Sequence, residues 1–143
     1  MYKNNNNTQQ SFEEMVAEHM EHGFLENIID MLKYEEDAYK VIKHLLRDER
    51  IRVRIGAVAL VEEATALGLR FVDELADELL QLLDDENPLV RADAIYCLEM
   101  AGNMKHVPVL EKCMQKEENQ QVKEAVDEAI SEIKRRVVGN DDI

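Results

Sequence analysis

A hydrophobic–basic pair recurs along this 143-residue chain with the same neighbours each time: Val53-Arg54, Val90-Arg91 and, more weakly, Val122-Lys123. Ahead of the first two pairs stand a Leu-Leu helix end and an acidic turn, LLRDER and LLDDEN. Four residues after them stand Ala57 and Ala94, and the segments close at Gly68 and Gly102. The third copy reads MQKEENQQVKEAVDEAISEIKRR. The spacing is 37 residues from Val53 to Val90 and 32 from Val90 to Val122. Repeats of this length are helical hairpins that cannot bury an apolar face alone and do so by stacking.

The apolar positions within each copy follow the helical period. Val53, Ala57, Leu60, Val61 and Ala64 fall on one stripe, as do Val90, Ala94, Cys97, Leu98 and Ala101, and Val122, Val126, Ile130 and Ile133. The preceding segments supply Ala38, Ile42 and Leu45, then Leu75, Leu79 and Leu82, then Val107, Leu110 and Met114. At the N-terminal side, Ser11 and Glu14 form a capping-box pattern ahead of Phe12, Met15, Val16 and His19. A second short apolar pattern runs from Phe24 to Leu32, completing a fourth hairpin. The pattern predicts eight helices near 11–22, 24–33, 36–47, 50–67, 71–84, 88–101, 104–116 and 119–137. Asn87-Pro88 marks the sharpest start, with Asn as N-cap and Pro in the first position. Pro108 belongs in a first turn, where a missing N–H costs nothing. Gly68 and Gly102 are expected as helix-ending residues at positive φ.

The fold class is therefore all-α, an αα-superhelix of about four hairpins. Composition agrees: 45 % of residues are hydrophobic but only 5 % are aromatic, and five Gly and two Pro are too few for the turns of an all-β chain. Residues 1–10 (MYKNNNNTQQ) are expected to be a disordered polar tail, 11–137 one domain, and 138–143 a C-terminal tail. The longest apolar run, Ile55 to Val61, is too short to span a bilayer. Cys97 and Cys113 fall inside helical patterns and are read as buried reduced thiols, which places the chain in the cytoplasm.

The turn and ending Asp85-Glu-Asn-Pro-Leu-Val-Arg-Ala-Asp-Ala94, Leu98-Glu-Met-Ala-Gly102 and His106-Val-Pro-Val-Leu110 resemble the HEAT-repeat family, most closely the short bacterial type of phycobilisome bilin lyases. The resemblance is strongest over 70–116 and faint before residue 35. It implies a superhelix whose second helices line a concave face, and a fold signature does not by itself fix function.

Catalytic and cofactor chemistry finds no foothold in the sequence. Arg54, Arg91 and Lys123 suggest an anion-binding ladder, but the alternative is that each pairs within the turns, with Asp48, Asp85 or Glu117. Glu18, His19, Glu21 and His22 are the one dense His/carboxylate cluster, yet a tight metal site takes three or four ligands and no second helix repeats the pattern. His44 and His106 stand alone. There is no Gly-x-Ser-x-Gly and no phosphate-cradling Gly-rich loop. The reading is accordingly no catalytic residue, no metal and no cofactor. A net charge of −14 opposes binding to nucleic acid or to an anionic membrane.

What remains is the face of the second helices opposite their stripes. It carries Ile55, Val58, Ala59 and Glu62, then Ala92, Ile95, Tyr96 and Glu99, then Glu124, Asp127, Glu128 and Ser131. Two outcomes are open: the apolar residues are exposed and bind, or Ile55 and Ile95 pack on neighbouring first helices and widen the core. The first outcome makes Ile55, Val58, Glu62, Ile95, Tyr96, Glu99, Glu124, Asp127 and Glu128 the candidate contacts for a protein partner, such as a basic amphipathic helix or peptide. The expected function is a non-catalytic adaptor or scaffold module, monomeric or homo-oligomeric. The alternative, suggested by the resemblance, is an accessory or maturation subunit akin to those of bilin lyases.

Overall fold

A computed structural model describes residues 6–141, with side chains described for 12–139. Among the described residues eight α-helices follow one another: α1 (Asn6–Glu21), α2 (Leu25–Tyr34), α3 (Val41–Leu45), α4 (Ile51–Ala66), α5 (Val72–Leu79), α6 (Pro88–Ala101), α7 (Val107–Lys116) and α8 (Gln120–Asp141). No strand occurs among the described residues. Three 3-10 turns, Ala38–Lys40, Leu80–Asp84 and Met104–His106, complete the segments expected as continuous helices over 36–47, 71–84 and 104–116.

Side-chain caps set where α6 and α8 begin. Asn87 accepts a hydrogen bond from the Leu89 N–H at 2.9 Å with Pro88 in the first turn of α6, and Asn119 accepts from the Val122 N–H at 3.2 Å to open α8. Pro108 lies in the first turn of α7. Gly68 ends α4 at φ +62°, and the Leu69 N–H donates to the Ala64 carbonyl at 3.0 Å, the closure that a left-handed residue permits. Gly102 behaves otherwise. Its φ is −79°, so positive φ is not why glycine stands there. A Cβ at this position would lie 2.5 Å from the Leu98 carbonyl oxygen and 3.3 Å from Ile133 Cδ1, so close approach of chains is the reason.

The ends depart from expectation. The chain is helical from Asn6, the first described residue, so Ser11 lies inside α1 and not at its cap; residues 1–5 of the tail expected over 1–10 lie outside the described range. Once a helix is nucleated by a buried stripe, extending it by a residue adds a hydrogen bond for each residue fixed, so polar Asn, Thr and Gln can follow. The same holds at the other end, where α8 passes position 137 and runs to Asp141.

The predicted stripes form the core. Val53, Ala57, Leu60, Val61 and Ala64 are buried, as are Val90, Ala94, Cys97, Leu98, Ala101, Val122, Val126 and Ile133, while Ile130 is half-buried. Helix α6 packs against α4, α5 and α8, and α4 packs in turn against α1. Helix α1 thus flanks α4 on the side away from α6, with Met20 against Gly56.

Candidate functional site

The repeated basic residues tie the turns together. Arg54 Nη1 donates to the Asp48 and Glu49 carbonyls at 2.7 and 3.0 Å, and Arg91 Nη1 repeats this with the Asp85 and Glu86 carbonyls at 2.8 and 3.3 Å. Arg91 then reaches the next turn, where Nε and Nη2 donate to Glu117 at 2.9 and 2.6 Å. Glu117 is one of two buried polar residues among those described; the other is His106. The hydrogen bonds and charge of Glu117 push the Arg91 guanidinium pKa up. Lys43 pairs with Glu78 at 3.0 Å, Arg47 with Asp85 at 3.1 Å, and Arg50 with Asp48 at 3.0 Å and Glu18 at 3.3 Å. Lys40, Lys43, Arg47 and Arg50 of the basic stretch thus carry ion pairs within the molecule, and Arg54 and Arg91 make turn contacts in place of an anion ladder.

Histidines fall into two kinds. His106 is buried, its Nδ1 accepting from the Asn103 N–H and its Nε2 lying 2.9 Å from Asp77 Oδ1, so it pins the start of α7 to α5. The bond holds the Asp77 carboxyl below its ordinary range. Sequence reading left His106 unpartnered, because its partner is 29 positions away. In the N-terminal cluster, His19 Nδ1 faces the Met15 carbonyl at 2.8 Å and His22 lies 3.7 Å from Glu18. No group of three potential metal-ligating side chains comes together among the described residues. Burial raises the pKa of both free thiols, Cys97 and Cys113.

On the second-helix face, Ile55 is 62 % exposed and Tyr96 43 %; Glu62, Glu124, Asp127 and Glu128 are exposed, and Val58 and Glu99 half-buried. Ile95 is the correction: it is fully buried and belongs to the core. The reason is its place in the stack. Arg91 reaches Glu117 at the entry to α8, and Ile95 lies one turn further along that side of α6, the side α8 covers. The equivalent residue on α4, Val58, is half-buried, and on α8, the last described helix, it is the exposed Asp127.

The acids of this face act on one another across helices. Glu62 of α4 and Glu99 of α6 both raise the Tyr96 hydroxyl pKa, beyond what burial does. Glu99 itself is raised by burial and then by Glu128 and Glu132 of α8. Glu62, Tyr96, Glu99, Glu128 and Glu132 therefore form one electrostatic neighbourhood spanning three helices. A cleft of about 500 Å³ is lined there by Glu99, Asp127, Glu128, Ser131, Glu132 and Arg135. Among the described residues, none of Glu62, Glu99, Glu124, Asp127 and Glu128 takes part in an ion pair. Asp93, half-buried on α6, has its pKa raised by burial. Two exposed residues that sequence reading missed, Ile51 at 63 % and Leu89 at 58 %, carry the apolar surface to the starts of α4 and α6. Ile51 stands four residues before Ile55, a spacing that places it on the same face.

Stacked helical hairpins joined through their turns define an αα-solenoid. A family model of HEAT repeats matches residues 38–131, and the chain belongs to that family. Comparison with curated proteins and with solved structures gave no match. The hairpin of α1 and α2 lies ahead of the matched residues. No described helix is long and apolar enough to cross a membrane.

Proposed function

We propose that this chain is a non-catalytic protein-binding module whose contact surface is the free face of α4, α6 and α8. The observation that carries the reading is the coexistence, on one face, of exposed Ile55 and Tyr96 with acids that lack ion-pair partners. Solvated helices place polar residues on an unburied face, and exposed apolar groups ringed by acids suit a partner that brings both hydrocarbon and positive charge. Membership of a repeat family that commonly mediates protein–protein contacts supports the same reading. The partner class is a basic amphipathic segment of another protein. Nothing at the site favours the accessory-subunit alternative, which co-purification of a chromophore would revive.

The test begins with capture of a partner from the native host and proceeds to affinity and unfolding on the same variants. Tyr96→Ala is expected to weaken binding by about 2 kcal/mol, roughly thirtyfold, while costing little stability. Charge reversal at Glu62 and Glu99 is expected to slow association and flatten its salt dependence. If Tyr96→Ala instead unfolds the protein and the reversals leave association unchanged, the face is not the binding surface.

A further inference from the structure

The free face is not uniform, and its asymmetry says how a partner lies on it. Helix α4 contributes exposed Ile51 and Ile55, half-buried Val58 and Ala59, and one acid at its far end, Glu62. Helix α6 contributes Leu89, Ala92 and Tyr96 and then Glu99. Helix α8 contributes no apolar residue at the matching positions: Glu124, Asp127 and Glu128 stand there, with Glu132 beyond. Hydrocarbon thus gives way to negative charge from α4 to α8. Glu132 is paired with bases, Arg135 and Arg136, and Arg136 also acts on Glu99, whereas Glu124, Asp127 and Glu128 form no ion pair among the described residues.

The placement of these acids is also unfavourable for the helices that bear them. Glu99 lies in the last turn of α6, and Glu62 and Glu63 stand close to the end of α4, where the carbonyl end of the helix dipole repels negative charge. Glu99 is further pushed toward its protonated form by burial and by the charges of Glu128 and Glu132, with Arg136 offsetting part of this. These placements cost the fold energy that an opposite charge from outside would offset.

Resting on the binding reading above, we infer that the face takes its partner in one polarity: a helical segment lying across α4, α6 and α8, with its apolar end over Ile51, Ile55 and Tyr96 and its lysine- or arginine-rich end over Glu99, Asp127 and Glu128. Charge complementarity selects this occupant. A second copy of the chain would set acid against acid along α6 and α8, and a net charge of −14 adds to the repulsion.

The probe is a synthetic helical peptide with leucines in one half and lysines in the other, carrying a spin label at either end in separate preparations. Binding to the full chain is followed by methyl and amide NMR. The label at the leucine end is expected to broaden Ile51 and Ile55, and the label at the lysine end Asp127 and Ser131. A peptide with the two halves exchanged should reverse its direction on the face and keep this pairing of ends. Asp127→Lys with Glu128→Lys should weaken the peptide about tenfold or more, and Ile55→Asp should displace only the leucine end. Equal broadening from both labels across all three helices would overturn the polarity while leaving the binding face intact. Broadening confined to α2, α3, α5 or α7 would overturn the face itself, and self-association of the chain through α6 and α8 in sedimentation would replace the peptide by a second copy.

Discussion

Acids occur in two settings in this molecule, the turns between hairpins and the free face of the second helices, and the two settings use the same side chain for opposite ends. In the turns, Asp48, Asp85 and Glu117 each meet an arginine, from Arg50, Arg47 and Arg91. On the free face, Glu62 and Glu99 act on Tyr96, and the Glu99 pKa is raised by burial and by Glu128 and Glu132, with Arg136 offsetting part of it. A carboxylate met by a base lowers the free energy of the fold, and one crowded by like charges raises it. The comparison therefore separates acids that maintain the stack from acids whose counter-charge lies outside the molecule.

The largest test sets two residues at the same repeat position against each other. Ile95→Ala removes a fully buried side chain from α6 and is expected to cost about 2–5 kcal/mol by denaturant unfolding. Asp127→Ala, its equivalent on α8, is expected to change stability by no more than about 0.5 kcal/mol, as exposed substitutions do. Equal losses would mean that α8 is covered as α6 is, and that no face is free there.

Somewhat smaller is the cost of breaking a turn pair. Glu117→Gln leaves Arg91 with a neutral partner in a mostly buried place and is expected to cost about 3 kcal/mol. Asp85→Asn should cost less, because Arg47, its partner, is more than half exposed. Unfolding midpoints that rank Asp85→Asn above Glu117→Gln in damage would break the account of the turns.

Acidity supplies a finer test. Burial, helped at Glu99 by Glu128 and Glu132, holds Asp93 and Glu99 above the ordinary carboxylate range. A raised folded pKa means that the native state binds the proton more readily than the unfolded chain. Stability is therefore gained as pH falls from neutrality through that raised range. Asp48, Asp77 and Glu132 are held low by hydrogen bonds from Arg50, His106 and Arg135. Their contribution is present above the ordinary carboxylate value and is lost as pH falls below about 4. Melting temperature against pH should accordingly rise on the acid side of neutrality before it falls. Glu99→Gln should remove part of the rise, and an unchanged profile in that variant would contradict the crowding of Glu99.

Much of this was legible in the sequence because helical repeats write their core locally. The Val53, Val90 and Val122 register placed the stripes, and Asn87-Pro88 placed the start of α6. What local pattern does not encode is the neighbour. Ile95 and Ile55 both fall on the face opposite the buried stripes, yet Ile95 is fully buried on the side of α6 that α8 covers and Ile55 is exposed on α4. His106 looked unpartnered because Asp77 comes from a different hairpin. Gly102 was legible as a glycine position but not for its reason, since a Cβ there would meet the Leu98 carbonyl of the preceding turn and the Ile133 side chain of the next repeat.

The most direct measurement is stability and affinity on one variant, Glu99→Gln with Glu128→Gln. If these acids are kept for a basic partner, neutralising them relieves repulsion and should raise the unfolding free energy by some 0.3–1 kcal/mol, while affinity for the captured partner falls. A variant that loses stability, or that gains it and binds as well as before, would contradict the claim that this face is held ready for positive charge.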